Sequence, residues 1–211
     1  MSSCEKQCGK QCCHSRKELY RRILIVVGAI VVVVLFAIFL VWIILRPTKP
    51  QIVLHDNTLY ALNLSQPNFV TMNMQITIST RNPNARVGIY FDKFDIYASY
   101  RNEQITPATE LPRGNYLGHK EINVWSPFLC GNSVPISLYA AAALCEDLNA
   151  GIVLVNIKVS GKLKWKVGTW MSGKYHLSAN CPVYISCGKH DGVPFELGIK
   201  YQSVSSCSVD V

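Results

Sequence analysis

Cysteine is the residue type whose number and spacing suggest the most chemistry in this chain of 211 residues. Nine cysteines fall into two groups, one before and one after a long apolar run. Three of the first group recur every fourth residue and would share a helix face; the group is Cys4, Cys8, Cys12 and Cys13. Thiols beside basic residues and a membrane-length segment suit reversible S-acylation, which is our prediction for these four. Two alternatives remain. The thiols are unmodified, or several of them bind zinc together with His14, although the usual C-x2-C pair is missing.

The histidines give no sign of a catalytic centre. They are His14, His55, His119, His176 and His190. None lies in a zinc-protease motif, and the sequence has neither a G-x-S-x-G nucleophile elbow nor a phosphate-binding loop. A triad built from distant residues would leave no such motif, so a hydrolase remains the least favoured alternative. The sequence predicts a protein that is not an enzyme and needs no cofactor.

Residues 23–45 form an uncharged run in which all but four residues are Ile, Leu, Val or Phe. As a helix with a rise of about 1.5 Å per residue, the run would extend about 34 Å, enough to cross a hydrocarbon core of about 30 Å. A buried core helix would normally carry polar residues on some face. We therefore predict one transmembrane helix.

The charges around the run predict its orientation. Six basic residues precede it, whereas Arg46 and Lys49 alone follow closely. Excess Lys and Arg stay in the cytoplasm, so the C-terminal domain should lie outside. A cleaved signal peptide is the alternative, but its apolar region is usually about 7 to 15 residues long and ends at small residues. The predicted organisation is a cytoplasmic tail (1–22), a signal anchor (23–45), a proline linker (46–50) and an outer domain (51–211).

The formal net charge of +8 is divided evenly between the two sides of the run. Residues 1–22 carry six basic and two acidic groups, and residues 46–211 carry fifteen and eleven. On the tail this charge suits an anionic inner leaflet. On the outer domain it is a mild bias rather than the concentrated basic stripe of a nucleic-acid-binding protein. We predict no nucleic-acid partner.

Beyond residue 50 the apolar residues alternate with polar ones, as in strands that bury one face. About eight short strands are expected, with candidate segments at 52–64, 72–79, 87–91, 94–100, 118–125, 153–159, 162–167, 174–177 and 182–185. Gly161, Gly168 and Gly173 are interpreted as turn signals between them. The alanine-rich segment before Gly151 predicts a short crossover helix. This pattern predicts an antiparallel β-sandwich.

Lys162, Lys164 and Lys166 occupy alternate positions of one predicted strand. That spacing places all three ammonium groups on one face of a sheet. The simpler interpretation is a solvated face that keeps the sandwich soluble and protects an edge strand. The functional hypothesis is contact with an anionic surface, either demethylated pectin or phospholipid headgroups.

Several short motifs after the apolar run resemble those of plant proteins of the harpin-induced, non-race-specific disease resistance-like (NHL) type. These motifs include Arg46-Pro47, Asn82-Pro83-Asn84, Val87-Gly88-Ile89-Tyr90-Phe91-Asp92, Val134-Pro135 and Trp165-Lys166-Val167-Gly168. These proteins carry a late-embryogenesis-abundant type 2 domain. The resemblance implies an immunoglobulin- or fibronectin-III-like sandwich at the plasma membrane, plasmodesmata included, and a role in pathogen and stress responses. It implies no enzymatic activity.

Five cysteines lie in the predicted outer domain, where the compartment is oxidising. They are Cys130, Cys145, Cys181, Cys187 and Cys207. An odd number leaves at least one of them unpaired or bonded to another chain. The family usually has cysteines at Cys181 and Cys207, so the resemblance implies a disulfide between these two. The pairing of the other three stays open.

The resemblance also implies what the outer domain does. It would act as an interaction module that contacts a protein partner or the cell wall. The alternative is a lipid-binding or membrane-tethering protein, in which an apolar cleft between the sheets holds an acyl chain. Self-association into a homo-oligomer is compatible with both interpretations. Trp125, Trp165 and Tyr90 are interpreted as packing residues, with a carbohydrate platform as the alternative.

The predicted topology can be tested at Asn63-Leu64-Ser65, the one sequon in the outer domain without a central proline. An exterior domain exposes this site to glycosylation. We expect a glycosidase-sensitive mass shift that Asn63→Gln removes. Digestion of the C-terminal domain from the cytosolic side of sealed vesicles would contradict the orientation.

Overall fold

A computed structural model describes residues 4–44, 47–65, 67–112, 114, 116–186, 199–201 and 204–211. Within these ranges, the side chains of residues 4–18, 41, 44 and 199–201 are left undescribed. The chain divides into two compact units, Met1–Arg46 and Pro47–Val211.

The first unit is one helix, α1, which extends over Cys4–Ile44. Its segment Leu19–Leu40 is long and apolar enough to cross a membrane, and the apolar side chains described there are exposed. The helix starts far before residue 23, so the predicted tail and the predicted span form one continuous element. The backbone of all four tail cysteines belongs to α1, but their side chains lie outside the described residues.

The second unit contains fourteen strands among its described residues and one helix, α2 (Leu138–Ala150). The long strands are β1 (Gln51–Ser65), β2 (Phe69–Arg81), β3 (Gly88–Tyr100), β9 (Ile152–Val167) and β11 (Tyr175–Ser186). The short strands are β4 (Glu103–Gln104), β5 (Thr109–Glu110), β6 (Tyr116–Leu117), β7 (Ile122–Trp125), β8 (Phe128–Pro135), β10 (Trp170–Met171), β12 (Ile199–Tyr201), β13 (Ser205–Ser206) and β14 (Ser208–Asp210).

These strands form two sheets. The six-stranded sheet has the order β12-β1-β2-β7, with β13 paired to β1 and β8 paired to β2. The eight-stranded sheet has the order β14-β11-β9-β3-β4, with β10 on β9 and with β5 and β6 on β3. The long ladders are antiparallel throughout, as between β1 and β2 and between β3 and β9. The predicted antiparallel sandwich is confirmed.

The long strands of the structure extend further than the segments that the sequence predicts. Segments predicted as separate strands on either side of Gly161 form the single strand β9, so Gly161 is not a turn. A Cβ atom at Gly161 would lie 2.5 Å from the backbone oxygen of Lys93 and 3.2 Å from the ring of Phe94. The glycine therefore allows close approach of β3, beside the bulge between Phe91 and Lys93.

One hydrophobic core lies between the sheets and explains the alternation in the sequence. Ile76 and Ile78 of β2, Ile96 of β3 and Val155 of β9 are all fully buried members of one cluster. Their neighbours along each strand are mostly half-buried or exposed. Burial of such side chains contributes roughly 1.5–3 kcal/mol each to folding.

Helix α2 connects β8 of one sheet to β9 of the other, as predicted for the crossover helix. The hydroxyl of Ser137 caps its N-terminus by accepting a hydrogen bond from the Ala140 N–H at 3.1 Å. Gly151 ends it with a φ of 85°, a left-handed conformation that favours glycine. The Tyr100 hydroxyl at the end of β3 donates to Asp147 of α2. Burial and this carboxylate raise the pKa of Tyr100 to about 12, so the phenol stays protonated.

Asn82 joins the two sheets through its fully buried side chain. Its Nδ2 donates to the carbonyl oxygens of Val87 at 2.8 Å and Gly118 at 2.9 Å, and its Oδ1 accepts from the N–H of Asn84 at 3.0 Å. Asn84 in turn exchanges two hydrogen bonds of 2.8 Å with the backbone of Thr48. The Asn82-Pro83-Asn84 motif is thus a structural turn.

Residues 47–50, predicted as part of a linker, belong to the folded unit. Pro50 is buried, and Thr48 is held by Asn84. The Lys49 ammonium lies 3.0 Å from a carboxylate oxygen of Asp210 near the other end of the domain. Because of these contacts, residues 47–50 are not the free linker that the two prolines suggest.

The last described segment is attached to the sandwich by a disulfide bond between Cys181 of β11 and Cys207. The Cys207 N–H also donates to the carbonyl of Ile52 at 3.0 Å. Cys130 and Cys145 are free and exposed, whereas Cys187 lies outside the described residues. The bond is therefore placed where the family resemblance implies it.

We expect Asn82→Ala to destabilise the domain by about 2–4 kcal/mol, because it leaves several buried backbone groups without a partner. Denaturant titration of the full-length protein, followed by tryptophan fluorescence, measures the change. The matched control is Asn132→Ala, at an exposed position. Equal stability of the two variants would contradict the role given to Asn82.

The disulfide closes a separation of 26 residues, and its removal should cost about 3 kcal/mol of stability. Non-reducing peptide mapping of protein purified from membranes should recover the linked peptides of Cys181 and Cys207. Alkylation of the exposed Cys130 and Cys145 in the same sample controls for labelling. Alkylation of both Cys181 and Cys207 without reductant would show that the bond is absent.

Candidate functional site

The predicted lysine row lies on β9, in the interior of the eight-stranded sheet. Lys162 is paired with Lys93 of β3 on one side and His176 of β11 on the other. Lys166 is likewise flanked on both sides, by Gly88 of β3 and Met171 of β10. The interpretation that these lysines protect an edge strand is therefore wrong. An edge strand has unpaired backbone N–H and C=O groups along one side, whereas these lysines have a paired strand on both sides.

More lysines share this outer face than the sequence analysis identified. The basic members are Lys93, Lys158, Lys162, Lys164, Lys166 and Lys174, and the acidic members are Asp92, Asp95 and Glu110. We call this set the lysine face. Lys162 and Lys93 are directly opposite each other, an arrangement of like charges that is unfavourable in a sheet. Among its described residues, the lysine face has an excess of three positive charges.

Two carboxylates compensate part of this charge. Asp95 is paired with Lys93, and Asp92 lies 2.7 Å from the Lys174 ammonium. The hydrogen bond and charge of Lys174, with weaker contributions from Lys164 and Lys162, lower the pKa of Asp92. Lys174 is thus the main partner of Asp92. Neither ion pair involves Lys162, Lys164 or Lys166.

Two tyrosines adjoin the row at Lys166. The Lys166 ammonium lies 5.6 Å from the ring centre of Tyr90 and 5.2 Å from that of Tyr116, within cation–π range. The two rings are 4.8 Å apart. Gly88 makes room for them, since a Cβ there would lie 2.5 Å from the Tyr116 hydroxyl oxygen. The row thus ends in a partly exposed aromatic pair.

The two tryptophans considered as a carbohydrate platform are mainly packing residues. Trp165 points into the core and is buried. Trp125 packs against Phe94 and Phe91, with ring centres 5.6 Å and 6.4 Å away. Tyr90 alone of the three suggested residues lies on the lysine face.

The remaining predicted sites are distributed over the chain. Asn63 is exposed on β1, opposite Thr71, so a glycan there would not enter the core. Cys181 and Cys207 form the disulfide described above. The side chains of Cys4, Cys8, Cys12 and Cys13 are outside the described residues, and their acylation stays a prediction.

The described residues contain no cluster of metal-ligand side chains. No group of three or more His, Cys, Asp or Glu side chains among them could hold a metal ion. His55 Nε2 lies 2.7 Å from the Ser79 hydroxyl oxygen, and His119 and His176 are exposed. An open depression is lined by Gln104, Thr106, Pro107, Asn132, Ser133, Val134 and Pro135. These side chains do not include an acid–base pair.

The chain is similar to known protein sequences over nearly its whole length. Residues 77–181, which include the lysine row, match the LEA_2 family, described as late embryogenesis abundant protein. NDR1/HIN1-like protein 12 from Arabidopsis thaliana is 48% identical over 98% of this chain and 99% of its own length. NDR1/HIN1-like protein 1 from the same plant is 46% identical over 94% and 96%. NDR1/HIN1-like protein 26 is 38% identical over 76% of each chain.

Solved structures give weaker similarities. A solution structure of an Arabidopsis thaliana protein has a TM-score of 0.37 and 15% identity, covering 67% of this chain and 83% of that one. A crystal structure of an Archaeoglobus fulgidus protein has a TM-score of 0.33. Both scores are too low to support an argument about the fold or the site. From the sequence relatives, the chain belongs to the NDR1/HIN1-like family and carries a late embryogenesis abundant type 2 domain.

Proposed function

We propose that this protein is a membrane-anchored, non-enzymatic component of plant defence and stress response whose lysine face binds carboxylate-bearing polysaccharide of the cell wall. The membrane anchor is the apolar segment of α1. The exterior position of the sandwich follows from the excess of basic residues before that segment. The lysine face is the observation that carries the proposal.

Placement of the lysines supports binding more than solubility. Any polar side chain would keep this face soluble, yet three successive outward positions of β9 are lysine. A fourth lysine, Lys93, stands opposite Lys162 despite the unfavourable like-charge pair. Asp95 compensates part of this repulsion at Lys93, and an anionic polymer lying along β9 would add negative charge beside Lys162, Lys164 and Lys166. The outward positions of a strand repeat every two residues, about 6.6 Å, so successive lysines can meet successive charges of an extended chain.

The aromatic pair adds a second element of recognition. Tyr90 and Tyr116 offer ring faces beside the Lys166 ammonium. Aromatic side chains combine a large apolar surface with a polar hydroxyl, which suits the apolar face and hydroxyl rim of a sugar ring. A polymer of acidic sugars offers carboxylates to the Lys166 ammonium and apolar ring faces to the two tyrosines.

The space between the sheets favours surface binding over an acyl-chain cleft. Core side chains from both sheets occupy that space, and Ile76, Ile78 and Ile96 are fully buried there. An acyl chain would have to displace well-packed side chains. Exposed charges instead give weak attraction that salt screens within about 8 Å. Useful affinity then needs several contacts along one polymer or several proteins in one membrane.

The test is retention of the full-length protein, in nanodiscs of neutral lipid, on immobilised polygalacturonate across a salt series. Three exposed ion contacts of roughly 0.5 kcal/mol each predict about a tenfold loss of affinity at low salt for the triple variant Lys162→Gln/Lys164→Gln/Lys166→Gln. The control removes the same charge elsewhere, in Arg81→Gln/Arg86→Gln/Lys120→Gln. Methyl-esterified polymer, which lacks the carboxylates, should not retain the protein.

Two results would refute the proposal. Unchanged retention of the lysine variant would show that the lysine face does not bind the polymer. An equal loss in both triple variants would show an effect of net charge alone. A third arm uses anionic liposomes: retention there without retention on polygalacturonate would replace the wall polymer with headgroups as the ligand.

A further inference from the structure

One end of the sandwich gathers four segments that are distant in sequence. The segments are 47–50, 81–87, 118–121 and 168–171, and we call this region the linker end. Asn84 binds the backbone of Thr48 through two hydrogen bonds, and the Lys120 N–H donates to the Asn84 carbonyl at 3.2 Å. The fourth segment joins them because Gly88 pairs with Lys166, and Trp170 pairs with Val167.

Chain connectivity tethers the linker end to α1. Residues 45 and 46 alone lie between the end of α1 at Ile44 and the folded unit that starts at Pro47. Consecutive Cα atoms are about 3.8 Å apart, so Pro47 lies within about 11 Å of Ile44 in any arrangement of the two units. Thr48 is fixed to the domain by Asn84. The first residues of the linker end are therefore joined by a very short tether to the helix that carries the membrane-length segment.

The exposed side chains of this end suit a membrane interface. Trp170 is 64% exposed and Met171 is 44% exposed, although both are residues that proteins tend to bury. Tryptophan concentrates at the headgroup level of bilayers, where its ring is partly apolar and its N–H finds polar partners. The hairpin between β9 and β10 presents this side chain at the linker end.

Three basic residues lie in the other segments of the linker end. Arg81, Arg86 and Lys120 are exposed in the neighbouring segments. Of the carboxylates described there, Asp210 is paired with Lys49, and Glu121 accepts a hydrogen bond from the Gly118 N–H. A guanidinium is well suited to phosphate because it presents several donors in a fixed plane. Positive charge around an exposed tryptophan is complementary to a phospholipid surface.

We propose that the linker end docks onto the phospholipid headgroups of the membrane that the chain itself spans. Trp170 enters the interface, and Arg81, Arg86 and Lys120 bind headgroup phosphates. The proposal rests on the membrane anchoring by α1 but is independent of polysaccharide binding. A weak contact suffices, since a short tether raises the effective concentration of the surface to about the millimolar range. The docked sandwich would hold the lysine face at a fixed angle to the membrane.

The test measures tryptophan fluorescence of the full-length protein in phosphatidylcholine nanodiscs, with and without lipid that carries a nitroxide quencher on its headgroup. The emission of Trp170 is obtained as the difference between wild type and Trp170→Phe. We expect the quencher to remove most of this emission. The control is Trp125→Phe, since Trp125 is half-buried against Phe94 and its difference signal should be quenched much less.

A second pair of variants separates docking from mere proximity. An insertion of about twelve Gly and Ser residues after Arg46 adds a flexible tether of about 19 Å root-mean-square length. If the linker end has its own affinity for headgroups, quenching of Trp170 should persist within about twofold. Adding Arg81→Gln/Arg86→Gln/Lys120→Gln to the insertion should then abolish it, whereas Lys158→Gln/Lys162→Gln/Lys164→Gln should not.

Three outcomes would overturn the proposal. One is a Trp170 emission that the headgroup quencher does not reduce. Another is complete loss of quenching on insertion of the tether alone, which would show proximity without binding. The third is equal quenching with and without the three basic residues. None of these results depends on whether polygalacturonate binds, so this proposal and the proposed function can fail separately.

Discussion

The side-chain amide of Asn82 connects three parts of the outer domain that are not adjacent in sequence. They are the start of β3, the end of β6 and the segment around Thr48, which Asn82 reaches through Asn84. Asn82 lies at the crossing from β2 to β3, where the chain leaves one sheet for the other. Its Nδ2 satisfies carbonyls next to both β3 and β6, and its Oδ1 orients Asn84, which in turn binds Thr48. A buried amide can satisfy so many backbone groups only in one arrangement. The angle between the sheets and the path of the first residues after the anchor are therefore fixed together.

Local sequence patterns predicted the type of most elements. They did not predict which elements lie beside each other in the fold. Alternation predicted the buried faces of β2 and β9, and Gly151 predicted the end of α2. Gly161 was misinterpreted because a glycine required for close approach of another strand looks the same in sequence as a glycine required for a turn. The contact that requires it involves Lys93 and Phe94, which lie far away in the chain.

The candidate sites show the same limit. The spacing of Lys162, Lys164 and Lys166 was enough to place them on one face, because a strand has a period of two. Their opposite neighbours, Lys93 and Tyr90, depend on strand order and register, which local patterns do not encode. Nor could Trp170 be associated with Arg86 and Lys120 before the fold was known. Exposure of the tryptophan is the signal that identifies the linker end, and it is visible only in the structure.

The hydrogen bonds that fix Thr48 to the domain also determine which strands carry a force applied through the first residues of the sandwich. A pull on Pro47 enters the sandwich at the start of β1, and its component along that strand acts on the whole strand. It would load the β1–β2 ladder in shear, so that pairs from Gln51–Arg81 to Ser65–Phe69 resist together rather than open one after another. The ion pair of Lys49 with Asp210 and the disulfide at Cys207 share that load with β11 through the last strand. Under such a load the sandwich would resist through many backbone hydrogen bonds at once rather than through one pair at a time.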